Sequence, residues 1–261
     1  MGSVTEPLSP TPPAPTGVFL ALEGGDGVGK STQRALLGSW LEARGREVVL
    51  TREPGGTELG LLLREALLHG GHVDPRTEAL LFATDRSHHV ASLVRPALER
   101  GAVVVTDRYL DSSLAYQGAA RSLGRDDVRH LSLWGTYGLL PDLTILLDLD
   151  PQQAAARRAG ERPDRLERES TEFHADVRAA FLELAAQEPA RYLVVDAGQP
   201  PAAVHAGIVE RVEEFMATRE SAHGAESVAA RGEEHGVARG VARGVKRGVA
   251  RGVTRGEAGS A

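Results

Sequence analysis

Short apolar runs alternate along the chain with longer segments in which apolar residues recur every three to four positions. The runs have the pattern of buried parallel strands, and they are Val18–Leu22, Glu47–Thr51, Ala102–Thr106, Leu143–Leu147 and Tyr192–Asp196. The periodic segments predict helices over Lys30–Ala43, Leu59–Leu68, Thr77–Arg100, Ser112–Gly118, Gly124–Tyr137, Pro151–Arg158, Thr171–Glu188 and Ala202–Met216. This alternation predicts an α/β fold, in which a five-stranded parallel sheet carries helices on both faces.

The pattern is absent from both ends of the chain. Residues 1–16 contain five prolines and few apolar side chains, which predicts a disordered leader. The periodicity stops at about Thr218, and from Gly236 the tetrapeptides GVAR, GVAR, GVKR, GVAR and GVTR follow one another. A glycine at every fourth position weakens a helix, so residues 218–261 are predicted to form a disordered tail. One domain over residues 17–217 then contains every predicted strand.

The tail is cationic, although the whole chain carries a net charge of −6. Six cationic side chains and no acidic one lie between Gly236 and Gly256. Such a block can contact nucleic acid, but a solvated low-complexity tail is the commoner interpretation and the one we favour. DNA binding that depends steeply on salt, and that disappears when residues 219–261 are deleted, would support the nucleic-acid interpretation.

The chain has no cysteine, which excludes disulfides, thiolate metal ligands and a cysteine nucleophile. Its first residues show no basic stretch followed by an apolar one, and no uncharged apolar run approaches membrane-spanning length. We therefore expect a cytoplasmic protein without a membrane partner.

The stretch Gly24–Ser31 reads G-x-x-x-x-G-K-[ST] and joins the first predicted strand to the first predicted helix. Its glycines let successive backbone N–H groups face one anion, and the start of the helix adds its positive dipole. Lys30 can reach the β and γ phosphates of a nucleotide, and the Ser31 hydroxyl can hold Mg²⁺. A plain glycine turn would not need a Lys-Ser pair at this spacing. We predict a nucleotide-binding loop of Gly24, Gly25, Asp26, Gly27, Val28, Gly29, Lys30, Ser31 and Thr32.

Charged residues also follow other predicted strands. Arg52 comes after the second strand, and Asp107 and Arg108 come after the third. Because ligands of open α/β sheets gather at the carboxyl ends of the strands, both arginines can meet phosphate groups. An exposed loop arginine is the plain alternative for Arg52. Asp107 can hold Mg²⁺ through water, and Asp148, after the fourth strand, is the alternative for that role.

Phe82 and Arg86 lie one helical turn apart and so share a face of their predicted helix. A ring and a guanidinium in this arrangement can hold a nucleobase by stacking and hydrogen bonds. A buried phenylalanine beside a snorkelling arginine is the commoner meaning of the pattern.

Five arginines lie between Arg157 and Arg168, in a segment that also contains glycine and proline. This composition predicts a flap near residues 157–170 whose guanidinium groups close over phosphates. A merely solvated charged loop is the alternative.

Taken together, these pieces resemble the bacterial thymidylate kinase (dTMP kinase) family over roughly residues 17–216. The matching stretches are EGGDGVGKST from Glu23, TREPGGT from Thr51, LFATDR from Leu81, DRY from Asp107, AYQG from Ala115 and DRLE from Asp164. The resemblance implies a P-loop nucleoside monophosphate kinase-like fold and transfer of the γ-phosphoryl group of ATP to dTMP, with Mg²⁺. This reaction makes dTDP on the route to dTTP. The resemblance also implies a homodimer.

The resemblance assigns an acceptor site to Asp26, Arg52, Phe82, Arg86, Arg108, Ser113, Tyr116 and Gln117. Arg52 and Arg108 would hold the acceptor phosphate. Phe82 would stack on thymine, while Arg86 and Gln117 would hydrogen-bond it. For the sugar, Tyr116 would lie against the deoxyribose, and Asp26 would take the 3′-hydroxyl side or the waters of the metal. Ser113 stands where the family pattern has a threonine or asparagine, so its contact with the base is left open.

The same resemblance assigns the transfer step to Lys30, Arg108, Arg165 and Arg162. The family places its extra positive charge either in the phosphate loop or in the flap. Residues 25–28 contain no arginine, so this chain resembles the flap type. Arg165 is then the first candidate in the flap and Arg162 the second.

Two other functions stay open at this point. One is another nucleoside or nucleotide kinase, such as one that acts on a deoxynucleoside, which would not need Arg52 and Arg108 for an acceptor phosphate. The other is a phosphate-loop protein that mainly binds nucleic acid through its tail.

Overall fold

The structure is a computed structural model, and it describes residues 16–160 and 162–221. The predicted leader up to residue 15 and the GVxR repeats of the predicted tail lie outside the described residues. The chain divides into two compact units, Met1–Val209 and Glu210–Ala261.

Five parallel strands form the sheet of the first unit. They are β1 (Val18–Glu23), β2 (Val48–Arg52), β3 (Val103–Asp107), β4 (Leu143–Asp148) and β5 (Tyr192–Asp196). Their order across the sheet is β2-β3-β1-β4-β5, and every pairing is parallel. The predicted α/β fold with a five-stranded parallel sheet is confirmed.

Both faces of the sheet are covered, because every residue of the central strand β1 is buried. Phe19 and Ala21 belong to the main hydrophobic core, where the Phe19 ring meets the Tyr109 ring edge-on at 4.9 Å. Leu20 and Leu22 alternate with them and point to the other face. The helix after β1 contacts strands β1, β2 and β3.

Some helices of the first unit begin at a side-chain cap, and others begin without one. These helices are α1 (Lys30–Glu42), α2 (Glu58–Arg64), α3 (Pro75–His89), α4 (Arg95–Glu99), α5 (Leu110–Ser113), α6 (Arg125–Thr136), α7 (Pro151–Arg157) and α8 (Thr171–Gln187). The Asp74 side chain accepts hydrogen bonds from the backbone N–H groups of Arg76 and Thr77. This cap, with proline in the first turn, starts α3 two residues before the predicted Thr77.

In the part of the chain that the structure describes, three π-helical segments interrupt the helical regions: Glu65–His69, Val90–Val94 and Leu114–Ala120. The second divides the helix that the sequence predicts as continuous over Thr77–Arg100. The third carries Tyr116 and Gln117, and π-turns of this kind are frequent at functional sites.

Residues 201–221 are also helical, whereas the sequence predicts a closing helix of Ala202–Met216. Within the second unit, the hydroxyls of Thr218 and Ser221 donate to carbonyls four residues back. Among residues 16–160 and 162–221, no helix is both long and apolar enough to cross a membrane.

The strand order brings the predicted site residues to one edge of the sheet. Asp107 at the end of β3 is in register with Arg52 on one side and with Leu22 on the other. The loop after β1 and the loop after β3 are therefore neighbours, although about eighty positions separate them in the sequence.

The buried central strand allows a direct test of the core. Leu20 is completely buried, so Leu20→Ala should lower the free energy of unfolding by about 2–5 kcal/mol. Leu62→Ala is the matched control, because Leu62 is 68 % exposed and its truncation should cost roughly 0.5 kcal/mol or less. Urea unfolding followed by circular dichroism measures both, and equal costs would contradict this packing.

Candidate active site

The loop between β1 and α1 has the backbone of an anion cradle. Gly24, Gly27 and Gly29 have φ values of 132°, 81° and 100°, which side chains rarely tolerate. A Cβ on Gly24 would lie 2.5 Å from the carbonyl oxygen of Leu147. No side chain caps the start of α1, so the N–H groups of its first turn remain available to a ligand.

Lys30 is buried at the start of α1, and its Nζ donates to the carbonyl oxygens of Gly24 at 3.1 Å and Gly25 at 2.5 Å. Burial and the nearby guanidinium of Arg108 lower the pKa of Lys30, against the opposing effect of Asp26. The ammonium group is thus held over the loop by carbonyls that an arriving anion can replace.

Ser31 and Asp107 bring two oxygen ligands together, because the Ser31 Oγ donates to Asp107 Oδ2 at 2.9 Å. Asp148 takes a different partner: both of its carboxylate oxygens accept from Arg178, at 2.7 and 2.9 Å. The described residues contain no group of three or more His, Asp or Glu side chains that could hold a metal alone. A hydroxyl and a carboxylate suit Mg²⁺, which commonly completes its shell with water and substrate phosphates.

Arg108 connects the phosphate loop to the loop after β3. Its guanidinium forms an ion pair with Asp26 and donates to Gly24 O at 3.0 Å, Ser112 Oγ at 3.0 Å and the Tyr116 hydroxyl at 3.2 Å. Tyr116 in turn donates to Asp26 at 3.1 Å. Burial acts to raise the pKa of Asp26, but Arg108 and Lys30 outweigh it and hold that pKa well below its usual range.

Two cavities adjoin at Asp26 and Arg108. The phosphate cavity, of about 400 Å³, is lined by Gly27, Gly29, Lys30, Ser31, Thr32, Arg52, Asp107 and others. The base cavity, of about 110 Å³, is lined by Phe82, Arg86, Ser113, Tyr116, Gln117 and others. Gly25 and Val28 lie in the same loop, where Val28 is buried.

Arg86 is buried, so the interpretation as a snorkelling arginine is wrong. Its Nε donates to Glu53 Oε2 at 2.8 Å, and its two Nη atoms donate to Ser132 Oγ at 2.8 Å and Ser113 Oγ at 2.9 Å. Glu53 also lies 2.8 Å from His89 Nδ1. These contacts fix the guanidinium at the wall of the base cavity, next to the half-buried Phe82.

Arg52, Arg64 and Arg108 converge on the phosphate cavity. Burial lowers the pKa of Arg64, and the positive charge of Arg52 lowers it further. Cations that destabilise one another in this way form a site for an anion.

The flap arginines have different positions. Arg165 Nε donates to Leu67 O at 2.7 Å and its Nη2 lies 2.6 Å from Glu78, so its guanidinium is not among those that line the phosphate cavity. Arg162 is exposed. Arg157 and Arg158 do line that cavity, and Arg158 pairs with Glu167 at 2.8 Å.

Glu53 and Arg64 are not among the site residues predicted from the sequence, and Arg158 is predicted only as one of the five arginines of the flap. Glu53 precedes Pro54 within the TREPGGT stretch, which was a signal for it. Arg64 stands at an ordinary helical position, and only the folded chain brings it to the cavity.

Most of the chain is similar to known proteins. A family model described as thymidylate kinase matches residues 22–208. A protein named thymidylate kinase from Clavibacter michiganensis is 61% identical over 212 residues, covering 79% of this chain and all of that protein. Those of Leifsonia xyli (64% over 200 residues, 76% and 95% covered) and Bifidobacterium longum strain DJO10A (54% over 205 residues, 77% and 99% covered) carry the same name.

Two buried carboxyl groups beside the site predict a pH dependence of stability. Burial, with the nearby Asp111, raises the pKa of Glu23 to about 7, and burial, with the nearby Glu53, raises that of Asp85 to about 6. The folded chain therefore keeps protons that the unfolded chain releases above about pH 4 to 5. The free energy of unfolding should fall as the pH rises from about 5 to about 7, with Glu23 contributing on the order of 3 kcal/mol.

Glu23→Gln should remove most of this pH slope, whatever its effect on absolute stability. Glu47→Gln is the control, because the Glu47 side chain is 55 % exposed, and it should keep the slope. Urea unfolding at pH 5 and pH 8 measures the difference, and the same slope in Glu23→Gln as in the unaltered protein would contradict the prediction.

Proposed function

The chain belongs to the thymidylate kinase family, and on that premise we propose that it transfers the γ-phosphoryl group of ATP to dTMP, giving ADP and dTDP. The observation that carries the proposal is the pair of adjoining cavities that share Asp26 and Arg108. One has the loop and cations for nucleotide phosphates, and the other has the ring, guanidinium and amide for a base. Two substrates can then meet where the cavities join.

The donor phosphates bind in the loop Gly24–Thr32. Backbone N–H groups and the α1 dipole hold them, and Lys30 exchanges its bonds to Gly24 O and Gly25 O for phosphate oxygens. Ser31 and Asp107 would hold Mg²⁺, which supplies neutralisation of phosphate charge when bound. Asp148 is the weaker candidate, because Arg178 already occupies both of its oxygens.

The acceptor binds with its phosphate toward Arg52, Arg64 and Arg108 and its base in the base cavity. The Phe82 ring stacks on thymine, while Arg86 and Gln117 bond its edge. Ser113 is already an acceptor for Arg86, so it orients that guanidinium whether or not it also touches the base. Tyr116 lies against the sugar, and its hydroxyl is held by Asp26 at 3.1 Å.

Transfer is a direct in-line displacement with no covalent enzyme intermediate. The protein contributes mainly position and electrostatic stabilisation, through Lys30 and Arg108 at the two ends of the transferred group. Arg158 is the flap arginine whose present position best suits that group. Arg162 and Arg165 stay predictions for this role and would need the flap to move.

We propose a homodimer as well. Leu80, Trp134 and Tyr137 are 53 %, 74 % and 58 % exposed, and they lie on or next to the packed helices α3 and α6. Large apolar side chains exposed on neighbouring elements favour such an interface.

The choice of acceptor tests the function. With Mg·ATP, the full chain and a chain ending at Thr218 should both prefer dTMP over CMP and AMP by at least about 100-fold in kcat/KM. ADP release measures each rate, with dUMP and thymidine as further acceptors. Thymidine as the best acceptor would favour a deoxynucleoside kinase instead. If the chain that ends at Thr218 has no turnover, the result would favour the interpretation that the protein mainly binds nucleic acid through its tail.

Lys30→Ala should remove most phosphoryl transfer while the protein stays folded. Loss of one preorganised cation at the transferred group should lower kcat by about 10² to 10³-fold. The chain has one other lysine, and Lys246→Ala is therefore a matched control that should keep full activity. Wild-type turnover in folded Lys30→Ala would rule out this role.

A further inference from the structure

Glu78 is a fully buried carboxylate in the first turn of α3, and no role above uses it. Its Oε1 accepts from Gln117 Nε2 at 2.9 Å, and its Oε2 lies 2.6 Å from Arg165 Nη2. Arg121 Nε lies 3.4 Å from Oε1. Arg121 also pairs with Glu169 at 2.6 Å. One carboxylate thus touches an amide of the base cavity and a guanidinium of the flap.

A carboxylate only accepts hydrogen bonds, so Gln117 must turn its NH₂ group toward Glu78. The amide is planar, and its carbonyl oxygen then faces away from Glu78. Gln117 also lines the base cavity, on the side of the amide that does not bind Glu78. The side chain consequently offers the cavity an acceptor and not a donor.

Arg121 and Arg165 stabilise the buried carboxylate of Glu78. An unpaired carboxylate in the interior would be strongly destabilising, whereas two guanidinium groups compensate it. The ion pair with Glu78 accounts for the position of Arg165 away from the phosphate cavity. Paired with these two guanidinium groups, the Glu78 carboxylate only accepts hydrogen bonds.

The polarity of Gln117 distinguishes pyrimidines. Thymine and uracil carry N–H at ring position 3, which pairs with a carbonyl acceptor. Cytosine carries a lone pair there, which an acceptor repels. Resting on the proposed function, we infer that Glu78 is a specificity-determining positioning residue: it fixes the Gln117 amide so that the site accepts bases with N3–H and rejects cytosine.

Glu78→Gln should reverse the Gln117 amide. The new carbonyl oxygen would take the place of Oε2, beside Arg165, and the new NH₂ would take the place of Oε1. Gln117 would then turn its own oxygen toward residue 78 and its NH₂ into the cavity. We expect the ratio of kcat/KM for dTMP to kcat/KM for dCMP to fall by about 10- to 100-fold, mainly because the KM for dTMP rises. The KM for ATP should not change.

The experiment measures kcat and KM of the full chain with Mg·ATP and dTMP, dUMP or dCMP. Glu169→Gln is the matched control: it removes the other carboxylate on Arg121, leaves the Gln117 contact and should keep the ratio. A role limited to folding would lower turnover of dTMP and dCMP equally, and that result in Glu78→Gln would overturn the inference.

If Glu78→Gln does not fold, Gln117→Met decides the question, because it removes the amide while keeping much of its volume. The inference expects the same fall in the ratio, and an unchanged ratio overturns it. The unaltered protein separates the two levels of proposal. Failure to use dTMP overturns the proposed function itself, whereas dTMP preference with no change in either variant overturns only the role of Glu78.

Discussion

The ion pair between Asp26 and Arg108 is the contact on which the site depends. Asp26 belongs to the phosphate loop after β1, and Arg108 follows β3 with a φ of 70°, a strained value for arginine. The pair holds together the two loops that line the phosphate cavity and the base cavity. It also explains why the cavities meet at these residues, since both line both cavities. Adjacent parallel strands are what bring the two loops within reach.

Buried charged side chains support the wall of the base cavity, although burying a charge destabilises the folded chain unless that charge is paired. Arg86 and Glu53 are each 2 % exposed, and Glu78 is fully buried against Arg121 and Arg165. Replacing such pairs with apolar residues often costs no stability. Their value here is directional, because charged partners hold the Arg86 guanidinium and the Gln117 amide in one orientation. The proposed recognition of a base requires donors and acceptors that are fixed in this way.

Local sequence patterns were sufficient to predict much of the fold and of the candidate site. The strand runs predicted a parallel sheet because residues buried on both faces must be apolar. The G-x-x-x-x-G-K-[ST] stretch predicted an anion loop, since its glycines are needed for backbone conformations seen at Gly24 and Gly29. Helix ends were less predictable. The cap at Asp74 moved the start of α3, and π-helical turns divided one predicted helix and extended another.

The sequence by itself determined the fold class, the phosphate loop, the family resemblance and the candidates Arg52, Asp107, Arg108, Phe82, Arg86 and Gln117, because each stands in a short motif or at a strand end. Only the tertiary structure decided which of them share a cavity. It showed that Asp107 contacts Ser31, whereas Asp148 pairs with Arg178. It also showed that Arg165 pairs with Glu78. Arg64 and Glu78 were invisible for the same reason. The partner of a buried charge is chosen by packing between distant segments, and no local pattern records that choice.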